Sequence, residues 1–166
     1  MEKYFIIDAS GFINGFNIVG NLNFTVSEIT EEIKDLKSQL LLEESIETDK
    51  VSILNPKESF INEINEITSK SGDNLRLSNP DTKLLALALE FKSEGKEVLV
   101  VSDDYTIQNT LKILNIKYQP IITEGINRIY NWKKVCTGCK HEYPNDYTQE
   151  DCEICGSKIY KKRIKN

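Results

Sequence analysis

The N-terminal run Tyr4-Phe5-Ile6-Ile7 ends on a carboxylate, Asp8, and a small-residue turn, Ala9-Ser10, follows. A short unbroken apolar run is the pattern of a strand buried on both faces of a parallel sheet. The pattern recurs at Glu97-Val98-Leu99-Val100-Val101, followed by Ser102-Asp103-Asp104. In open α/β sheets, ligands collect outside the carboxyl ends of the strands. Two buried strands that each deliver acid at the same edge therefore predict a shared carboxylate site. The competing explanation is that Asp8 and Asp103 only cap the helices after them. It serves for one such residue alone; two in parallel, with further acids between them, favour a site.

The rest of the chain alternates in the same way. Residues 3–8 form the first strand and 10–19 a short, Gly- and Asn-weakened helix and loop. No G-x-G-x-x-G is present, so a dinucleotide fingerprint is absent. Residues 27–45 are predicted as one helix, capped by Ser27 or Thr25, with Ile29, Ile33, Leu36 and Leu40 as its buried stripe. Glu28, Glu31 and Glu32 crowd its first turns, and the pattern alone does not choose among them. A short strand at 51–54 and a helix at 57–71 follow. Ser78 or Asn79 caps the next helix, Pro80 suits its first turn, and Asp81 lies where the helix dipole favours negative charge. That helix is nearly all apolar over Leu84–Leu89 and is therefore buried. Gly95 ends it. A helix at 104–114 leads to a last strand at 116–122, which Pro120 marks as an edge. Strands alternating with helices give an α/β fold with a parallel sheet flanked by helices.

Charge divides the chain. Residues 1–127 carry 12 Lys+Arg against 21 Asp+Glu, whereas residues 128–166 carry 9 against 5. Such asymmetry predicts two units, here 1–126 and 127–166. All four cysteines fall in the second, as Cys136-x-x-Cys139 and Cys152-x-x-Cys155 with 12 residues between the pairs. Two such knuckles match a tetrahedral four-thiolate zinc site. With no open coordination position, that Zn²⁺ is structural and replaces a core that about 35 residues cannot supply. The second unit is thus a small zinc ribbon. Around it stand Arg128, Trp132, Lys133, Lys134, Lys158, Lys161, Lys162 and Arg163, with Tyr160 among them. Basic side chains interleaved with aromatics suit nucleic acid, phosphates for the charges and bases for the rings. The alternative is a solubilising tail and a Trp that packs one unit on the other. No apolar run approaches the ~18 residues of a spanning helix, and no signal peptide is evident, so a soluble cytoplasmic protein is expected.

The only histidine is His141. Histidine-based triads are therefore excluded from the first unit, which also lacks cysteine, so the candidate chemistry there is metal-dependent. Asp8, Asp81 and Asp103 or Asp104 favour hard cations such as Mg²⁺ or Mn²⁺. Such ions activate water and stabilise the leaving oxygen of a phosphodiester.

The segments Ile6-Ile7-Asp8-Ala9-Ser10, Glu28-Ile29-Thr30-Glu31-Glu32-Ile33-Lys34-Asp35, Leu77-Ser78-Asn79-Pro80-Asp81 and Val101-Ser102-Asp103-Asp104-Tyr105 resemble, in order, the acidic motifs of a PIN-domain nuclease. With the four-cysteine ribbon behind them, the chain is similar to the Nin-one-binding protein family in its compact archaeal form. The resemblance covers essentially the whole chain. It implies a PIN-like fold and an endoribonuclease that cleaves precursor rRNA at the mature 3′ end of the small-subunit RNA, using Mn²⁺ or Mg²⁺, with the pre-ribosomal small subunit as partner. It places the family's acids on Asp8, Glu32, Asp81 and the pair Asp103-Asp104, with Asp104 preferred. Metal would then sit on Asp8, Asp81 and Asp104, and Ser10 and Ser102 would orient metal-bound water. Two other functions are a non-catalytic RNA-binding assembly factor, which would have lost acids, and a toxin-type PIN ribonuclease, which normally lacks a ribbon.

Overall fold

A computed structural model describes residues 2–122 and 131–164. The chain runs β1 (Lys3–Ile7), α1 (Ala9–Ile13), β2 (Asn23–Thr25), α2 (Ser27–Glu32), α3 (Leu36–Glu47), β3 (Val51–Ile53) and α4 (Glu58–Ser71). A 3₁₀ turn (Asp73–Leu75), α5 (Asn79–Ser93), β4 (Glu97–Val101), α6 (Tyr105–Ile113) and β5 (Lys117–Gln119) complete the first unit. The second holds β6 (Asn131–Cys136), β7 (Glu142–Tyr143) and β8 (Ile159–Ile164). The expected boundary at 126/127, and with it Arg128, lies outside the described residues.

Strands β3-β2-β1-β4-β5 form one parallel sheet in that order. The two apolar runs pair at its centre, from Lys3 opposite Glu97 to Ile7 opposite Val101. Ile6, Ile7, Val100 and Val101 are fully buried, as a strand covered on both faces requires. The register also brings Asp8 and Ser102, the residues just past each strand, side by side at one sheet edge. Leu84, Leu85, Ala86, Leu87 and Ala88 of α5 are buried against the sheet. No helix among the described residues is long and apolar enough to cross a membrane.

Four features differ from expectation. The helix expected over 27–45 is two helices. The backbone turns extended at Ile33 (φ −83°, ψ 108°), and Asp35 restarts the helix by accepting a hydrogen bond from Ser38 N. Ile29 and Ile33 are buried, but Leu36 and Leu40 are 69 % and 54 % exposed, so the stripe stops at the break. Neither Ser27 nor Thr25 caps α2. The cap position is Val26, with no side-chain bond, and Thr25 lies in β2 and donates to the Ile7 carbonyl at 2.8 Å. β2 itself was not expected. It is three residues long and held by Asn23, whose buried amide donates to the carbonyls of Val19, Gly20 and Lys50. The last strand shrinks to Lys117–Gln119, and it is an edge as Pro120 suggests.

Candidate active site

The edge that receives Asp8 and Ser102 also receives the starts of α5 and α6 and the end of α2. Asp8, Glu32 and Asp81 each bring a carboxylate oxygen within 4.8 Å of the other two. Three different local devices hold them. Asp8 leaves β1, is 5 % exposed, and accepts at Oδ2 from Ser102 Oγ (2.9 Å) and Ser10 Oγ (3.2 Å). Those two hydroxyls in turn accept from the backbone of the acidic loop, Ser102 Oγ from Asp104 N (3.1 Å) and Ser10 Oγ from Asp103 N (3.0 Å). Ser10 and Ser102 thus donate to Asp8 and hold its carboxylate in place. Asp81 is locked in a capping box, its Oδ2 accepting from Ser78 N while Ser78 Oγ accepts from Asp81 N. Glu32 ends α2 and projects from the break at Ile33.

Of the adjacent aspartates, Asp104 caps α6 through Thr106 N (2.8 Å) and Ile107 N (3.1 Å). Its charge is felt by Asp8, Glu32 and Asp81 together. Asp103 turns the other way and accepts from Asn14 Nδ2 (2.8 Å) and the backbone N–H groups of Ile121 (2.7 Å) and Ile122 (3.1 Å). It fastens α1 to the exit of β5 and does not join the cluster. Glu28 is likewise drawn off, paired with Lys83.

Confining these carboxylates raises their proton affinity. Burial, with the charges of Asp81 and Asp104, pushes Asp8 up to about 6. Burial lifts Glu32 and Asp81 as well, each with a neighbouring carboxylate adding to it. An all-oxygen donor set of crowded, partly desolvated carboxylates is suited to a hard divalent cation.

The second metal-capable group is the sulfur cluster. The Sγ atoms of Cys136, Cys139, Cys152 and Cys155 also lie within 4.8 Å of one another. Backbone N–H groups of Gly138 (3.3 Å) and Ile154 (3.4 Å) point at the sulfurs of Cys136 and Cys152. Bonds from Ser157 hold the Cys155 thiol down to about 6, which favours the thiolate a metal needs. A Cβ at Gly138 would sit 3.1 Å from the Cys155 sulfur and 2.5 Å from Ser157 Oγ, so glycine is required in that knuckle.

With both sites in view, similarity to known proteins decides the family. Residues 5–91 match the PIN domain of ribonuclease family. The chain is 44 % identical over 161 residues to the protein named "Endoribonuclease Nob1" of Methanothermobacter thermautotrophicus, covering 97 % of this chain and 94 % of that one. Its counterparts of the same name in Methanocaldococcus jannaschii and Pyrococcus abyssi are 38 % and 34 % identical, over 99 % and 93 % of this chain and 80 % and 90 % of theirs. This chain belongs to the Nob1 endoribonuclease family.

As a Nob1 family member it carries its basic residues in a distribution the sequence does not reveal. Antiparallel register sets Trp132 opposite Arg163 and Lys134 opposite Lys161, with Lys133 opposite Lys162 in between. Facing pairs alternate sides, so the first two pairs share one face and Lys133 and Lys162 take the other. On the first face, Lys161 donates to the Leu75 carbonyl and Lys134 to that of Tyr147. Lys133 pairs with Glu142, and Lys158 with Asp151 at 2.8 Å. Lys161, Lys162 and Arg163 are exposed. Trp132, expected to stack on a base, is occupied from within: Arg76 lies 4.5 Å from its ring centroid and its side chain bonds Asp73. Here the alternative of a Trp packing one unit on the other describes the geometry.

Proposed function

We propose that this chain is a divalent-metal-dependent endoribonuclease that trims precursor small-subunit rRNA at its mature 3′ end in the cytoplasm, acting on the pre-ribosomal small subunit. The convergence of Asp8, Glu32 and Asp81 at the edge of the parallel sheet, in a Nob1 family member, carries this reading. Asp8, Glu32 and Asp81 would hold Mn²⁺ or Mg²⁺, with Asp104 adding negative charge beside them. Bound there, such an ion supplies Lewis acidity at the scissile phosphate and lowers the pKa of its water. The protein's own part is positional. Ser10 and Ser102 fix the orientation of Asp8, the capping box fixes Asp81, and the anionic cluster repels a phosphodiester until a cation has neutralised it.

Zn²⁺ is the ion proposed for the four cysteines, since a closed tetrahedral sulfur set suits it and leaves no position for substrate. Substrate affinity would come from the ribbon, through exposed basic residues such as Lys162 and Arg163, because residues 1–127 are net negative. The non-catalytic and toxin-type readings are not favoured: every acid of the set is present, and the ribbon is intact in sequence. The test is cleavage of an RNA spanning the mature 3′ end with Mn²⁺, comparing the parent with Asp8→Asn. A single cut that disappears in the variant is the expected result. Equal cleavage by both proteins would sink the assignment.

A further inference from the structure

Asp73 is a fully buried carboxylate outside the acidic cluster, and it joins three parts of the molecule. Asn109 Nδ2 donates to both of its oxygens at 3.0 Å, and Thr110 Oγ1 donates to Oδ2 at 3.0 Å; both donors lie on α6. The Trp132 side chain of β6 donates as well. Its backbone carbonyl takes Arg76 N (2.9 Å) and Leu77 N (3.1 Å), which fixes the short segment running into Ser78 and the start of α5. Each element so tied carries a residue of a metal-capable site or one beside it. Asp81 sits in the first turn of α5, Cys136 ends β6, and Asp104, which caps α6, adds its charge next to the carboxylate cluster.

The approach of β6 to this corner is close. A Cβ at Gly72 (φ +83°) would lie 2.2 Å from the Trp132 carbonyl oxygen, so only glycine admits the strand. Arg76 lies against the Trp132 ring, Lys161 donates to the Leu75 carbonyl, and Asn145 Nδ2 donates to the Ser69 carbonyl at 3.1 Å. A buried carboxylate with this many donors is costly to rearrange, so it holds its neighbours in one geometry.

We propose that Asp73 is a positioning residue for the acidic cluster, and that the cysteine-held ribbon steadies it through Trp132, so that filling the sulfur site tightens cation binding at Asp8, Glu32 and Asp81. The coupling rests on the metal-dependent reading above. It runs from the sulfur site along β6 to Trp132, through Asp73 to α6 and the lead of α5, and so to Asp104 and Asp81. By linkage it is reciprocal, so Mn²⁺ binding must strengthen ribbon docking equally.

The test measures Mn²⁺ affinity by electron paramagnetic resonance on the full chain, zinc-loaded and zinc-stripped, for the parent, Asp73→Asn and Trp132→Phe. Trp132 is the only tryptophan, so its emission reports docking in the parent and in Asp73→Asn. Asp73→Asn is expected to weaken Mn²⁺ binding about 5-fold or more and to move the Trp132 emission to longer wavelength. Stripping zinc should do the same to the parent and add little to Asp73→Asn, because both break one chain of contacts. Trp132→Phe keeps a ring but removes the N–H donor; it tests the link without altering a buried charge and should weaken binding in the same direction. Parental Mn²⁺ affinity in folded Asp73→Asn or in Trp132→Phe would overturn the proposal, as would full additivity of zinc removal and Asp73→Asn. A parent that binds no Mn²⁺ would overturn the metal-dependent reading itself, together with this inference.

Discussion

Replacing Asp8 by Asn should stabilise the cation-free protein while destroying its activity. Burial and neighbouring carboxylates raise Asp8 from an ordinary 3.8 to about 6. At about 1.36 kcal/mol per unit, the ionised group costs the fold about 3 kcal/mol at pH 7.5. The sign follows from the direction. A folded-state pKa above the unfolded value means the native state binds the proton more tightly. Native stability from this group is therefore fully present below pH ~4 and is lost as pH rises through about 6. At pH 5 the remaining cost is about 1.6 kcal/mol. Asn is nearly isosteric and still accepts from Ser102, so Asp8→Asn should exceed the parent by about 2–3 kcal/mol at pH 7.5 and by roughly half that at pH 5. Urea denaturation followed by far-ultraviolet circular dichroism, without added Mn²⁺ and without chelator, reads both values. Adding Mn²⁺ should then raise the parent's midpoint and leave the variant's unchanged. A variant less stable than the parent at pH 7.5, or a gap that widens as the pH falls, would refute the electrostatic account of the site.

Two further outcomes follow from the geometry. Asp104→Asn keeps a competent helix cap, so its thermal stability should stay within about 0.5 kcal/mol of the parent while Mn²⁺-dependent cleavage is lost; Asp103→Asn should instead lose about 1 kcal/mol through its bonds to Asn14, Ile121 and Ile122 yet retain cleavage. Equal loss of cleavage in both would remove the distinction between the neighbouring acids. Gly72→Ala forces a left-handed backbone and a clash with Trp132, and should cost about 1–3 kcal/mol in denaturant midpoint analysis; a neutral effect would show that β6 does not need that close approach.

What could be read from the sequence is what long-range burial imposes on composition. The buried stretches of β1, β4 and α5 must be apolar because the sheet is covered on both faces, and the capping of α5 by Ser78 is written locally in Ser78-Asn79-Pro80-Asp81. β2 could not be read, because three residues stabilised by the Asn23 side chain leave no hydrophobic period. The break after Glu32 was masked by accident: Leu36 and Leu40 continue the spacing of Ile29 and Ile33 although a second helix has begun. Asp35 was the available signal, an N-cap placed inside an apparent helix. The resemblance preferred Asp104 over Asp103, but the reason Asp103 is drawn away, its bonds from Asn14 and Ile121, lies in contacts that no spacing along the chain contains. Asp73 stands in a Ser-Gly-Asp-Asn stretch whose composition says only that a helix ends there, and its partners on α6 and the arrival of Trp132 from a distant strand give it a role.

The β6–β8 register bears on how this chain tolerates changes in length. Trp132 and Cys136 are four residues apart on one strand and therefore point to the same side, one into the docking corner and one into the sulfur cluster. Inserting a single residue between them would reverse their relation, turning either the ring or the thiolate outward. An insertion of two would restore the parity but displace the sulfur cluster by about 6–7 Å. Within the ribbon, a change of length is therefore better borne between the second and third cysteines than between Trp132 and Cys136. Comparing lengths of this stretch with those of the Trp132–Cys136 interval across relatives should show variation in the first and a fixed spacing in the second.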